Sequence, residues 1–205
     1  IKEEIDRIHR ATEITEKSME DALEIARPEI TEIDLASMFE YSVAYDGGRV
    51  TYNLIGFQER SSFPNPIPSN CEAHRGDIIR MTLGCTWRHY HSNVSRTAII
   101  GRPLPEAKRR WQAVVTAQEE ALKTVKPGAK LSECASFGHG LGIECNEQPW
   151  IEKGRATELQ DGMIINIDVP YLELGFWGFQ LEDTVLVTGD GFEFLTRTDR
   201  NLYLL

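Results

Sequence analysis

Two runs late in the chain constrain its fold more than any other feature. Ile164-Ile165-Asn166-Ile167-Asp168-Val169 and Phe179-Gln180-Leu181-Glu182-Asp183-Thr184-Val185-Leu186-Val187 set carboxylates inside strand-forming apolar sequence. A carboxylate in a core strand is costly unless it is paired or liganded. Such strands must therefore meet around a polar site, or else turn Asp168 to solvent at a strand end and leave Glu182 and Asp183 as a polar notch. The chain has 205 residues, 41% of them hydrophobic, enough to bury a core as one domain over 1–205 without disulfide staples.

The rest of the chain supplies helices and antiparallel strands around those runs. Ile1, Ile5, Ile8, Ala11, Thr15, Met19, Leu23 and Ala26 recur every three or four residues, which predicts a helix over 1–27 closed by Pro28. Thr31-Glu32-Ile33-Asp34 reads as a helix start, with Thr31 as N-cap and an acid three residues on, predicting a second helix over 31–46. Leu104, Ala107, Trp111, Val114, Leu122 and Val125 predict a third over 104–126, ended by Pro127-Gly128. Between them, Arg49 to Phe63 reads as strand and the Pro64-Asn65-Pro66-Ile67-Pro68 stretch as loop. Ile78 to Leu83 and Tyr90 to Ile100 read as a long hairpin with a turn region near Gly84. Helices first and strands interleaved give an α+β class.

Charge and cysteine usage narrow the function. Lys and Arg total 22 against 32 Asp and Glu, a formal charge of −10, which argues against a phosphate-reading surface and so against nucleic acid. Cys71, Cys85, Cys134 and Cys145 form no C-x-x-C pair and read as reduced thiols of a cytoplasmic protein. No signal-peptide run and no membrane-length apolar segment is present, so a membrane partner is not expected. The sequence begins at Ile1 rather than Met, and an N-terminal domain missing from this chain is expected.

Three stretches carry chemistry. Gly138-His139-Gly140 projects an imidazole from a glycine turn. Asp168 and Glu182 are the embedded acids. In Arg88-His89-Tyr90-His91-Ser92-Asn93-Val94-Ser95, a period of two puts His89, His91, Asn93 and Ser95 on one strand face.

Taken with Gly76-Asp77-Ile78-Ile79, Ser95-Arg96-Thr97 ahead of Gly101-Arg102-Pro103, Asp161-Gly162-Met163 and Leu181-Glu182-Asp183-Thr184-Val185, these stretches resemble the pita-bread family: methionine aminopeptidase, Xaa-Pro peptidases and creatinase. The resemblance implies a curved antiparallel sheet with the helices packed on its convex face. It also implies two divalent metals held by two hairpin aspartates, the turn histidine and two glutamates. Carried over by position, the aspartates fall on Thr82 and Asn93, the histidine on His139 and the glutamates on Asp168 and Glu182; a second family histidine falls on Asn146. Two dications about 3.5–4 Å apart need bridging anions, which Thr82 and Asn93 do not offer, while His139, Asp168 and Glu182 suffice for a single ion.

The expectation drawn is a creatinase-like or Xaa-Pro peptidase-like hydrolase of a C–N bond, amide or amidine, in a small amino-acid-derived molecule or short peptide. It would be metal-independent, cytoplasmic and homodimeric. His91 and His139 would transfer protons, Asp168 and Glu182 would form the acid/base pair, and Thr82, Asn93 and Asn146 would bind substrate. The alternatives are a metal-dependent Xaa-Pro peptidase or aminopeptidase with one ion such as Zn or Mn on His139, Asp168 and Glu182, and a non-catalytic peptide-binding module. One oddity concerns length. Between Gly128 and Gly138 the family places a helix and a strand, and the short segment here leads us to expect a chain break between Cys134 and Phe137.

Overall fold

The structure, a computed structural model, describes residues 1–130, 137–151 and 157–205. The break expected between Cys134 and Phe137 falls outside these residues.

The predicted helices form, each trimmed at its ends. Helix α1 spans Lys2–Glu24 and buries Ile8, Ala11, Ile14, Met19 and Leu23 along one stripe. Helix α2 spans Glu32–Tyr45 and starts where the capping pattern predicts: the Asp34 amide donates to Thr31 Oγ1 at 3.1 Å and the Thr31 amide to Asp34 Oδ2 at 2.9 Å. Helix α3 spans Pro105–Leu122, with proline at its first turn, where its missing N–H goes unneeded.

The strands are β1 (Arg49–Phe57), β2 (Ile78–Trp87), β3 (Tyr90–His91), β4 (Val94–Ile99), β5 (Phe137–Gly140), β6 (Glu147–Ile151), β7 (Ile164–Glu173), β8 (Trp177–Thr188), β9 (Gly191–Phe194) and β10 (Tyr203–Leu204). They make one sheet in the order β1-β2-β4-β8-β7-β5-β6. Pairing is antiparallel throughout, except where the short β10 runs parallel to β4. This is the curled pita-bread sheet that the motifs imply. Helices α1 and α2 cover β1 and β2 through Leu35, Phe39, Ile55 and Met81, whereas α3 covers β7 and β8 through Trp111, Val114, Phe179 and Leu181. The two halves meet between β4 and β8. Strands β7 and β8 stay in register from Ile164↔Leu186 to Glu173↔Trp177, but β4 and β8 share one paired position among the described residues, Ser95↔Glu182.

The hairpin departs from its sequence reading. Strand β2 runs straight through Gly84 to Trp87, and the turn comes at Arg88 and His89, both with positive φ (48° and 73°). Gly84 is needed for close approach rather than for a turn: a Cβ there would lie 2.4 Å from the Ser92 carbonyl oxygen. Among the described residues, no helix is long and apolar enough to cross a membrane.

Candidate active site

The pleat of the central strands decides which side chains share the concave face. Asp168 sits opposite Glu182 and Asn166 opposite Thr184 across β7 and β8, while His139 of β5 sits opposite Asn166. Paired residues point to the same side, so His139, Asn166, Asp168, Gln180, Glu182 and Thr184 converge, and Asp183 points the other way. From β2 come Arg80 and Thr82, from β4 Ser95, and from the residue just before β4 Asn93. The result is a pocket of about 290 Å³ whose floor is polar and whose walls include Tyr52, Leu54, Pro64, Pro170 and Leu172.

Glu182 lies at the centre and is 1% exposed. Its Oε1 accepts from Asn93 Nδ2 and Asn166 Nδ2, each at 2.8 Å, and its Oε2 accepts from Ser95 Oγ at 2.7 Å. Asn166 has no freedom to turn over, because its Nδ2 faces two oxygens that only accept, Glu182 Oε1 and the Asn93 carbonyl at 3.3 Å, while Thr184 Oγ1 meets its Oδ1 at 2.7 Å. His139 Nε2 stands 3.4 Å from Glu182 Oε1, and its Nδ1 lies 3.0 Å from the Gly140 carbonyl oxygen. A carbonyl only accepts, so Nδ1 carries a proton and Nε2 faces the carboxylate.

Asp168 keeps some access to solvent through the pocket mouth, yet its surroundings and the nearby Glu182 push its carboxyl well above the usual carboxylate range. For His139, burial pulls the imidazole down, but the hydrogen bond and charge of Glu182 outweigh it and leave the ring easier to protonate than usual. Burial pulls the Arg80 guanidinium down to about 10, and Asp168 opposes that shift.

The structure brings six of the seven sequence-predicted residues to this pocket: His139, Asp168, Glu182, Thr82, Asn93 and Asn146. Thr82 Oγ1 donates to Gln180 Oε1 at 3.1 Å, and Asn146 Nδ2 donates to the Tyr52 hydroxyl at 2.7 Å. Asn93 Oδ1 is buried with no hydrogen-bond partner among the described residues. His91 goes elsewhere. It pairs with Thr86 near the turn end of the hairpin and lies in a neighbouring cleft with Arg49, Thr86, Arg88 and His89, too far along the strand to reach the pocket. Sequence reading missed Arg80, Gln180 and Asn166, and it placed Ser95 on the face of Asn93 without giving it a role. A lone arginine in Ile78-Ile79-Arg80-Met81, and the amide in Ile165-Asn166-Ile167, were the available signals.

Comparison with known proteins places this pocket in a family context. The model of the metallopeptidase family M24 matches residues 6–137 and 134–189. The Xaa-Pro dipeptidase of Pyrococcus furiosus is 31% identical over 221 aligned positions, covering 98% of this chain and 64% of the relative. The crystal structure of X-Pro aminopeptidase from Thermotoga maritima superposes with a TM-score of 0.96 at 27% identity, covering 100% of this chain and 64% of that one. Prolidase from Pyrococcus furiosus superposes at 0.94 with 31% identity, covering 97% and 65%. The chain thus spans less than two thirds of the length of these relatives. The matches overturn the expectation of a site that works without metal, since the matching family is one of metallopeptidases. On the sequence match along nearly its whole length and on its fold, the chain belongs to the metallopeptidase family M24.

Proposed function

We propose that residues 1–205 form one catalytic domain that hydrolyses the amide bond of a small peptide of the Xaa-Pro type, with one divalent metal ion held by His139, Asp168 and Glu182. The observation that carries this reading is the meeting of His139 Nε2 and Glu182 Oε1 at 3.4 Å. With Nδ1–H committed to the Gly140 carbonyl, a neutral His139 points a lone pair at a carboxylate, and the contact is favourable only with a cation or proton between them.

The donor chemistry fits one such ion. An imidazole nitrogen and two carboxylates suit Zn, Mn or Co, and the orphaned Asn93 Oδ1 adds a neutral oxygen at the same place. Among the described residues, no three of His, Cys, Asp and Glu already converge at metal-binding distance; Gln180 Nε2 is shared between both Asp168 oxygens, so one oxygen must swing toward the other two groups while its twin keeps the hydrogen bond from Gln180. Thr82 and Asn93 are uncharged, and the set lacks the bridging anions that a second ion requires. When bound, the ion supplies Lewis-acid polarisation of the scissile carbonyl and offsets the repulsion of two adjacent acids.

The chain's own residues do the rest. Ser95 and the two asparagines hold Glu182 in one orientation, a requirement for a group that takes a proton from water. With Nδ1–H on the Gly140 carbonyl and Nε2 given to the ion, His139 serves as a ligand only, and the proton that Glu182 takes from water is the one returned to the departing amine. The apolar walls at Leu54, Pro64, Pro170 and Leu172 accept an apolar residue and keep bulk water from the floor.

A screen of Xaa-Pro dipeptides, longer Xaa-Pro peptides, creatine-like amidines and N-acylated amino acids tests the reading. Turnover of Xaa-Pro peptides that is lost on chelation and restored by one equivalent of Mn²⁺ per chain supports it. Turnover indifferent to chelator would overturn it, as would tight peptide binding without any turnover.

A further inference from the structure

Arg80 is the feature of this pocket that the proposed chemistry does not use. It rises from the apolar strand β2, is 2% exposed, and no carboxylate lies within ion-pairing distance of it among the described residues. Its guanidinium instead faces neutral oxygens. Nε donates to the Ser61 carbonyl at 2.6 Å, Nη2 to the Phe63 and Pro64 carbonyls, and Nη1 to Gln180 Oε1. A buried cation without a paired anion costs folding energy, so its presence calls for an explanation.

Gln180 supplies one. Its backbone is pinned, since the Gln180 amide donates to Thr97 Oγ1 at 3.0 Å and the Thr97 hydroxyl donates to the Gln180 carbonyl at 3.1 Å. Its side-chain oxygen receives two donors, Arg80 Nη1 and Thr82 Oγ1. Arginine has no acceptor, so an amide turned the other way would set N–H against N–H. One orientation remains, and in it Gln180 Nε2 donates to Asp168 Oδ1 at 2.9 Å and Oδ2 at 3.1 Å.

We infer that Arg80 is a positioning residue of this site: by fixing the orientation of the Gln180 amide, it holds the Asp168 carboxylate in place. The inference rests on the proposed function for its purpose, since Asp168 matters as a ligand or acid only in a working site, but not for its geometry. Arg80 acts at one remove from Asp168 and through an uncharged go-between. It can therefore steady the acid without tying it up in an ion pair, and Asp168 stays available to a metal ion. A groups-in-series arrangement also predicts coupling: once Gln180 is gone, Arg80 has nothing through which to act on Asp168 except its distant charge.

The test uses the full chain as wild type, Arg80→Met, Gln180→Leu and the double variant. In the wild type, the two side-chain amide protons of Gln180 should give separate, slowly exchanging nuclear magnetic resonance signals. In Arg80→Met they should exchange at least tenfold faster, while the backbone amides of β2 and β8 stay protected. Should Arg80→Met fail to fold, Arg80→Lys replaces it with the same expectation, because an ammonium keeps the charge but lacks the fork that spans the loop carbonyls and Gln180. Calorimetric Mn²⁺ binding is the second readout. Gln180→Leu should weaken Mn²⁺ about 10–100-fold, the usual loss when a group orienting a ligand is removed. The effect of Arg80→Met on Mn²⁺ affinity should differ at least tenfold between the wild-type and Gln180→Leu backgrounds. Equal effects in the two backgrounds, or Gln180 protons that stay protected in a folded Arg80 variant, would overturn the inference. A wild-type chain that takes up no Mn²⁺, with Gln180 protons that still exchange faster in the Arg80 variant than in the wild type, supports the positioning role and overturns the metal reading alone.

Discussion

Asp183, the neighbour of Glu182, should prove a structural acid, and its removal should be among the most destabilising single changes in the chain. It lies on the face opposite the pocket, 1% exposed, and pairs at 2.6 Å with Arg96, which is fully buried. Oδ1 also accepts from Thr196 Oγ1 at 2.8 Å, and Oδ2 from Gln118 Nε2 at 3.0 Å, with Arg200 Nε at 3.3 Å. Asp183→Leu leaves the Arg96 charge in the core with no anion. Breaking one side of a buried pair costs about 3–5 kcal/mol, a large part of the roughly 5–15 kcal/mol of a typical domain. With a urea slope of about 2.5 kcal/mol/M, the midpoint should fall by about 1–2 M. Adding Arg96→Met removes the stranded charge. The double variant should then be no less stable than Asp183→Leu, although Arg96 Nη1 also serves the Ser95 and Glu182 carbonyls at 2.9 and 2.7 Å and those bonds are lost. Chemical unfolding followed by far-ultraviolet circular dichroism measures the wild type, Asp183→Leu, Arg96→Met alone and the double variant. A midpoint shift below about 0.5 M for the single change, or losses that simply add in the double, would refute the reasoning.

Three further outcomes are expected. Glu182→Gln should lower turnover by about 10²–10⁴ with little change in melting temperature, because its oxygen still accepts from the two asparagines and its amide can donate to Ser95 Oγ. Gly178→Ala should lower the melting temperature by about 6–12 °C, about 3 kcal/mol of overpacking in a chain of this size. There the new Cβ would lie 1.9 Å from the Ser61 carbonyl oxygen, against at least 3.4 Å for ordinary contact. For alkylation of the native protein, burial pushes the thiols of Cys145 and Cys85 up. The thiolate is the reacting form, so a raised pKa lowers its fraction at neutral pH and moves the onset of reaction to higher pH. Burial pushes the Cys71 thiol up as well, so access makes the difference: peptide mapping by mass should find Cys85 and Cys145 unmodified under conditions in which the partly exposed Cys71 has reacted.

What could be read in the sequence followed from local rules. The capping box at Thr31, the spacing of Ile8, Ala11 and Met19, and the acids at Asp168 and Glu182 each state a preference that the fold keeps. His91 was misplaced because sharing a strand face does not mean sharing a pocket: it pairs with Thr86 near the end of the hairpin and opens into another cleft. The turn itself was misplaced because nothing in Arg88-His89 resembles the glycine or asparagine expected where φ turns positive. Gly84 misled in the opposite direction, since a glycine called for by the nearby Ser92 backbone looks the same in sequence as one called for by a turn. Arg80 and Gln180 went unseen because what they do depends on a contact across 100 residues of chain, and no spacing rule reaches that far. The reading without metal was put ahead of its one-ion alternative on His139, Asp168 and Glu182 for a different reason, and the family match overturned it. The hairpin positions at Thr82 and Asn93 were weighed by residue type alone, whereas the convergence of His139 on Glu182 and the orphaned oxygen of Asn93 appear only in three dimensions.

The scarcity of backbone pairing between β4 and β8 has a bearing on how a chain like this can change over evolutionary time. With Ser95↔Glu182 as their one paired position, the two halves of the sheet are fastened largely by side chains: Asn93 and Ser95 gripping Glu182 on one face, Arg96 gripping Asp183 on the other. The residues that shape the pocket are thus also rivets. Most enzymes keep their working groups on loops that can drift while the scaffold stands, but here a new activity and a sound scaffold draw on the same few atoms. Replacements at this join are confined to groups of similar size that can still clasp across it, such as amides, hydroxyls and acids exchanged for one another, and a family built on such a join should diversify in the chemistry of its pocket more readily than in its shape.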